Sequence, residues 1–194
     1  MSACSRLALA ALCVSTLPAA ALTTVDIAYL EETRPPVTTL ANLEPPPADL
    51  GRAGVELGIR DNDSTGKFLQ QRFQLHSIQL PVGTPASEWL ARLNKSKARL
   101  VVANLPSATL EALLKQPGQD GVLWFNAGSA DDALRQSRCR PNLLHTLPGR
   151  AMQADALAQY LVARRWKKWF LVTGPQPEDA AYVAAIRRAA KRFG

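Results

Sequence analysis

The chain has 194 residues, 47% of them hydrophobic, with 23 Lys and Arg against 16 Asp and Glu and a formal net charge of +7. That length and apolar content suit one ordinary core and exclude a wholly disordered chain. Three cysteines, two of them in the first 13 residues, exclude a disulfide-dense scaffold.

The N-terminus reads as a secretory signal. Arg6 precedes an apolar run over residues 7–17, and Pro18-Ala19-Ala20-Ala21 offers a small-residue cleavage site. Residues 1–21 are therefore expected to be removed, sending the mature protein to the periplasm. The apolar run is about half of the roughly 20 residues that cross a bilayer, and no later segment approaches that length, so no membrane span is expected after cleavage. Bulky Leu12 before Cys13 argues against lipidation. Cys4 and Cys13 leave with the signal, and Cys139 remains alone.

From residue 25 the chain alternates short β-rich runs with helical patterns, the signature of βαβ units and a parallel sheet. The first strand is expected over 25–30. A polar stretch over 31–47 follows, broken by Pro35-Pro36 and Pro45-Pro46-Pro47. A helix is then expected from an Asp49 cap, with Leu50, Ala53 and Leu57 on one face and Gly51, Gly54 and Gly58 packing closely on the sheet. Strands follow over 73–80, 99–103, 121–125 and 142–147, with helices over 85–94, 107–115 and 130–136 between them. After Pro148-Gly149 the pattern restarts with a helix over 152–164 and a strand over 169–173. The last helix, from 178, carries Val183, Ile186, Ala190 and Phe193 as an apolar stripe. This organisation places lobe one at 22–148 and the start of a second α/β lobe at 149–194, with the rest of its sheet expected from a longer protein.

Chemical motifs fail one by one. Asp61-Asn62-Asp63-Ser64-Thr65-Gly66 imitates a calcium loop, but Arg72 stands where a bidentate Glu is required. Gly66-Lys67 lacks the earlier glycine and the following hydroxyl of a phosphate loop. His76 and His145 have no partners at metal-ligand spacing, and Cys139 lies between Arg138 and Arg140 with no histidine motif nearby. The cluster Arg164-Arg165-Trp166-Lys167-Lys168-Trp169 resembles a nucleic-acid surface, yet its cations fall at a helix end and its last tryptophan opens a strand. No catalytic group, metal, cofactor or nucleic-acid partner is assigned, and the residues favour binding over turnover.

In open α/β sheets ligands bind beyond the carboxyl ends of the strands. The loops there are Leu30-Glu31-Glu32, Asn104-Leu105-Pro106-Ser107 and Asn126-Ala127-Gly128-Ser129. Asn104, Ser107, Asn126 and Ser129 are the candidate ligand-binding residues. Ser107 and Ser129 are also placed to cap the helices that follow, exposing positive helix ends to an anion.

The order of these segments, with Leu143-Leu144-His145-Thr146-Leu147-Pro148-Gly149 leading into Gln153-Ala154-Asp155-Ala156-Leu157, resembles the type I periplasmic solute-binding family of ABC transporters, the leucine/isoleucine/valine-binding group included. The resemblance runs from Val25 to the end and implies the first half of a two-lobed protein, with a solute in the interlobe cleft and a membrane permease as partner. It implies a carboxylate-holding role for Ser107 and for Ser129 or Ala130, and a ligand-facing role for Tyr182. The chain departs from that pattern where Glu31-Glu32-Thr33-Arg34-Pro35-Pro36 replaces the usual first-loop glycines and where the lobe-one disulfide is missing. The acidic, Pro-rich loop looks most like a branch accompanying PQQ-dependent quinoprotein alcohol dehydrogenases, which implies an alternative role as a solute-sensing or accessory protein of such a system.

Overall fold

The computed structural model describes residues 22–33 and 47–194. The expected signal segment 1–21, with Cys4 and Cys13, and most of the Pro-rich loop, residues 34–46, lie outside the described residues.

Five strands form one sheet: β1 (Thr23–Thr33), β2 (Gln71–Pro81), β3 (Leu100–Asn104), β4 (Leu123–Asn126) and β5 (Leu143–His145). All pair in parallel, in the order β2-β1-β3-β4-β5. The chain steps outward from β1 to β2 and then returns to the other side of β1, so β1 and β3 flank a topological switch point. β1 and β2 are longer than the sequence periodicity indicates, because they stay in register over their full lengths from Thr23↔Gln71 to Thr33↔Pro81.

Strand alternation sorts the side chains onto two faces. Ala28 and Leu30 of β1, Val101 and Ala103 of β3, and Trp124 of β4 are buried on one face. There they join Trp89 and Leu93 of α2 (Ala86–Ser96) and Leu110, Leu113 and Leu114 of α3 (Ser107–Leu114) in the main core. The opposite face carries Tyr29 and Asn104, over which the chain enters α1 (Arg52–Gly66).

α1 departs from expectation in three ways. It starts after Gly51 rather than Asp49, with no side-chain cap. Gly51 has φ 91°, and a Cβ there would lie 2.7 Å from the Tyr29 hydroxyl, so the chain can turn over Tyr29 only without a side chain. Leu50 and Leu57 are exposed, while Val55 and Ile59 are the half-buried apolar positions. Gly54 and Gly58 face open space instead of packing on the sheet. The calcium-like run forms the last turns of this helix, where the Asp63 carboxylate accepts the Phe73 backbone N–H at 2.7 Å and ties the helix to β2.

A second, separate core lies between α4 (Arg150–Ala163) and α5 (Pro177–Phe193). Ala154 and Ala158 meet Ala185, Ile186 and Ala189, with Trp169, Tyr182 and Phe193 packed around them. The buried line on α5 is thus shifted from the expected Val183 and Ala190 to Ala185 and Ala189, whose small side chains let the helices approach closely. Asp155 bridges them by pairing with Arg188 at 2.6 Å and Arg192 at 3.2 Å. α4 ends before the basic cluster, and Arg164 stacks on the Tyr160 ring 5.3 Å from its centroid. Residues 169–173 form no strand: they find no ladder partner among the described residues, leaving Phe170 93% and Val172 82% exposed. The helix expected over 130–136 is a single 3-10 turn, Asp132–Arg135.

Candidate functional site

The carboxyl ends of the strands carry two neighbouring polar groups. At the switch point, Asn104 Nδ2 donates to the Tyr29 hydroxyl at 2.9 Å and to Glu31 Oε1 at 3.1 Å. Burial pushes the Tyr29 phenol above its ordinary value; the Asn104 hydrogen bond opposes this, and the Glu31 carboxylate adds to the rise, so the phenol keeps its proton near neutrality. On the other face of β1, Glu32 is buried and its carboxylate accepts a hydrogen bond from the Thr109 hydroxyl.

The second group is built around the loop after β4. Asn126 is fully buried, and its side-chain oxygen accepts from the backbone N–H of Ser129 at 2.9 Å and of Gly128 at 3.3 Å. Its amide nitrogen donates to the Ser129 carbonyl at 2.7 Å and lies 3.0 Å from His145 Nδ1. This Asx-type clasp turns the chain so that Gly128 backs onto the β3 loop, where a Cβ would lie 2.4 Å from Leu105 N. Ser129 is buried, and its hydroxyl accepts the Asp131 N–H at 3.3 Å.

Ser129 does not cap the next helix. Asp131 does, its Oδ1 accepting from Ala133 N at 3.1 Å. Ser107 is likewise the first residue of α3, behind Pro106 at the cap, so its hydroxyl is free to reach sideways. It lies 2.8 Å from Asp131 Oδ2 and 3.1 Å from Glu111 Oε1 and donates its proton to this carboxylate pair. Arg138 donates to both as well, at 2.5 Å to Glu111 and 3.1 Å to Asp131, and Arg150 lies 3.8 Å from Asp131 Oδ1. Burial alone pushes the Asp131 carboxyl up, but the hydrogen bonds from Ser107 and Ala133 and the two guanidiniums outweigh it and hold the group below its ordinary value. Asp131 is therefore ionised at neutral pH.

Ser107, Glu111, Asp131 and Arg138 line a cleft of about 780 Å³ from the sheet side. Arg150 at the start of α4 and Pro177, Glu178 and Ala181 of α5 line it from the second core. Ser107 thus lines the cleft, and Ser129 and Asn126 support it through Asp131. Asn104 belongs to the switch-point group with Tyr29 and Glu31. Tyr182 packs on the second core, one residue beyond Ala181, which lines the cleft.

Sequence reasoning missed Asp131, Glu111, Arg138 and Arg150. Glu111 had a signal, since it lies four residues after Ser107 on a helix and shares its face. Arg138 and Arg150 arrive through tertiary structure alone. Elsewhere, His76 Nε2 lies 2.7 Å from Asp26 Oδ1 in a cross-strand pair, and Cys139 is free and exposed. Among the described residues no group of three or more His, Cys, Asp or Glu could hold a metal ion, and no helix is long and apolar enough to cross a membrane.

A family model described as periplasmic binding protein matches residues 82–194, more than half of the chain. The chain belongs to that family. Solved structures carry the same fold. An ABC transporter substrate-binding protein from Desulfitobacterium hafniense in complex with Leu matches with a TM-score of 0.67 at 15% identity, over 89% of this chain and 48% of its own. A possible leucine/isoleucine/valine-binding protein from Rhodopirellula baltica matches at 0.62 and 16%, over 88% and 45%. A solute-binding protein of an ABC transporter from R. palustris, in complex with benzoate, matches at 0.60 and 17%, over 89% and 45%. The chain therefore spans just under half the length of these structures. A search among curated proteins finds no match. The α/β fold with a parallel sheet flanked by helices is that of the type I periplasmic binding proteins, a family of solute-binding proteins rather than enzymes.

His145 gives the β4 loop a pH dependence. Burial pushes its imidazole below the ordinary value of 6.5, the Arg135 charge pushes the same way, and a backbone hydrogen bond at Leu134 opposes them. The folded state then binds fewer protons than the unfolded state in the interval between the two values, so the stability contribution is complete above about pH 6.5 and declines as the pH falls below it. Urea unfolding between pH 8 and pH 5 should show this loss, and His145→Gln should remove that part of it.

Proposed function

We propose that the chain is the solute-binding component of a periplasmic ABC importer and holds a small polar solute in the cleft between the sheet and the α4–α5 pair. The observation that carries this reading is that one cleft has walls from two separately packed units, Ser107 and Asp131 on one side and Glu178 on the other. The two cores support a division into lobe one at 22–148 and the start of a second lobe at 149–194. Solved relatives in complex with Leu and with benzoate support a small-molecule ligand, and the signal-like N-terminus supports export to the periplasm.

A solute touching both walls gains contacts only when they close on it, so it shifts the population toward the closed form, which is the form a permease would recognise. Ser107 supplies a hydroxyl to the solute, Asn104 an amide at the switch point, and Ser129 and Asn126 the loop that fixes the wall. Tyr182 reaches the solute from α5 on closure. Thermal unfolding of the full-length protein with a panel of amino acids, small carboxylates, alcohols and PQQ tests this. A solute at 100 times its dissociation constant adds about 2.7 kcal/mol of stability, and Ser107→Ala should reduce the corresponding rise in melting temperature. No shift with any solute, together with a stable complex with a quinoprotein alcohol dehydrogenase, would turn the assignment to the accessory role.

A further inference from the structure

β2 stands at the edge of the sheet, beside β1. A parallel ladder turns successive residues alternately toward and away from its partner strand. The Thr23 N–H donates to the Gln70 carbonyl, so the even-numbered residues of β2 bond to β1 and the odd-numbered ones face outward. Both ends of that outer edge are closed. The Asp63 carboxylate takes the Phe73 N–H at 2.7 Å, and the Pro81 carbonyl accepts the Thr84 N–H at 3.2 Å and the Thr84 hydroxyl at 2.7 Å. Between these ends the outward backbone groups of Leu75, Ser77 and Gln79 have no partner among the described residues.

A groove of about 620 Å³ lies along this open stretch, apart from the solute cleft, and none of its described lining residues is acidic. Arg52 of α1 flanks it on one face of the sheet, and Arg92 and Lys95 of α2 flank it on the other. These charges are weakly matched. Arg52 lies 3.8 Å from Glu56, and its buried Nε has no hydrogen-bond partner; Arg92 lies 3.6 Å from Glu88, and Lys95 has no carboxylate partner among the described residues. We propose that the open edge of β2 docks an extended acidic segment of a partner protein, which adds to the sheet as a further strand. Unpaired backbone donors and acceptors in a row match another backbone rather than a small ion. Cations on both faces match acidic residues at adjacent positions, because side chains alternate along a strand. A second copy of this chain laid edge to edge would add like charges to the same groove, so the occupant is a different chain.

The test is fluorescence anisotropy of the full-length protein with a labelled eight-residue peptide of valine and threonine carrying two adjacent central glutamates. The same peptide with glutamines in their place should bind at least about 10-fold more weakly, and added salt should erase the difference. Arg52→Gln and the double variant Arg92→Gln/Lys95→Gln should each weaken the glutamate peptide by about 3-fold or more and leave the glutamine peptide unmoved. Ser77→Pro removes an outward N–H and keeps the ladder to β1, so it should weaken both peptides. Methylating alternate backbone amides of the peptide gives the same reading without altering the protein. Equal binding of the two peptides, or full binding of the methylated one, overturns the inference. So does displacement by inorganic phosphate with methylation having no effect, which would make the groove an ion site, and so does a dimer in sedimentation that Ser77→Pro abolishes, which would give the edge to a second copy.

Discussion

Trp124→Ala is expected to lower the unfolding free energy by about 3–5 kcal/mol, the range for removing a buried tryptophan from a close-packed core. Trp124 is fully buried on the inner strand β4, paired with Val101 on β3 and Leu143 on β5. Its ring is part of the layer between the strands and α2 and α3, so truncation leaves a cavity bounded by backbone that is hydrogen-bonded on both sides and cannot collapse inward. The indole N–H has no partner among the described residues. That unmet donor makes Trp124→Phe the informative control: the ring is largely kept and a desolvated polar group is removed, so the loss should stay within about 1.5 kcal/mol. Urea unfolding of both variants checks the pair, and comparable losses in the two would show that the indole N–H is satisfied in solution.

The parallel α/β architecture was legible because apolar runs such as Leu100-Val101-Val102-Ala103 and Val122-Leu123-Trp124-Phe125, short and alternating with helical patterns, read as strands buried by helices on either side. Residues 169–173 show the limit of that reasoning. Trp169-Phe170-Leu171-Val172 has the same composition, yet a strand needs a neighbour, and composition cannot say whether one stands beside it. α1 shows a second limit: Gly51, Gly54 and Gly58 were read as a packing surface, whereas of these three only Gly51 meets another side chain, and it does so through a positive φ that sequence pattern does not encode. At the site, the position of Ser107 and Ser129 after their strands was visible, but their partners were not. Both hydroxyls had obvious local work as helix caps. Pro106 and Asp131 took those places, which released Ser107 to the Glu111–Asp131 pair and turned Ser129 into a support for Asp131. Cap preference is a local rule: at α3 the cap position fell on Pro106, which makes no side-chain cap, and after β4 it fell on Asp131, two residues beyond Ser129.

Asn126→Ala should be the most damaging polar substitution at the site, because the wall depends on a side chain that is fully buried. The Asn126 amide uses its oxygen for the Gly128 and Ser129 N–H groups and its nitrogen for the Ser129 carbonyl, at zero exposure. Truncation strips partners from several buried backbone groups at once, and a single such group costs about 1–3 kcal/mol, so a loss of about 3 kcal/mol is expected. The effect should be local as well as global. Backbone amides of Gly128 and Ser129 should lose hydrogen-exchange protection before the β3 and β1 amides do, since the clasp can open while the sheet stays paired. The opened loop carries Ser129 and the Asp131 N–H away from each other, and with them the carboxylate that engages Ser107 and Arg138. Solute affinity should therefore fall more than in Ser107→Ala, even with the protein held well below its melting temperature. Equal affinity in the two variants would mean that Asp131 is fixed by its ion pairs alone and that the Asn126 clasp serves the fold without serving the cleft.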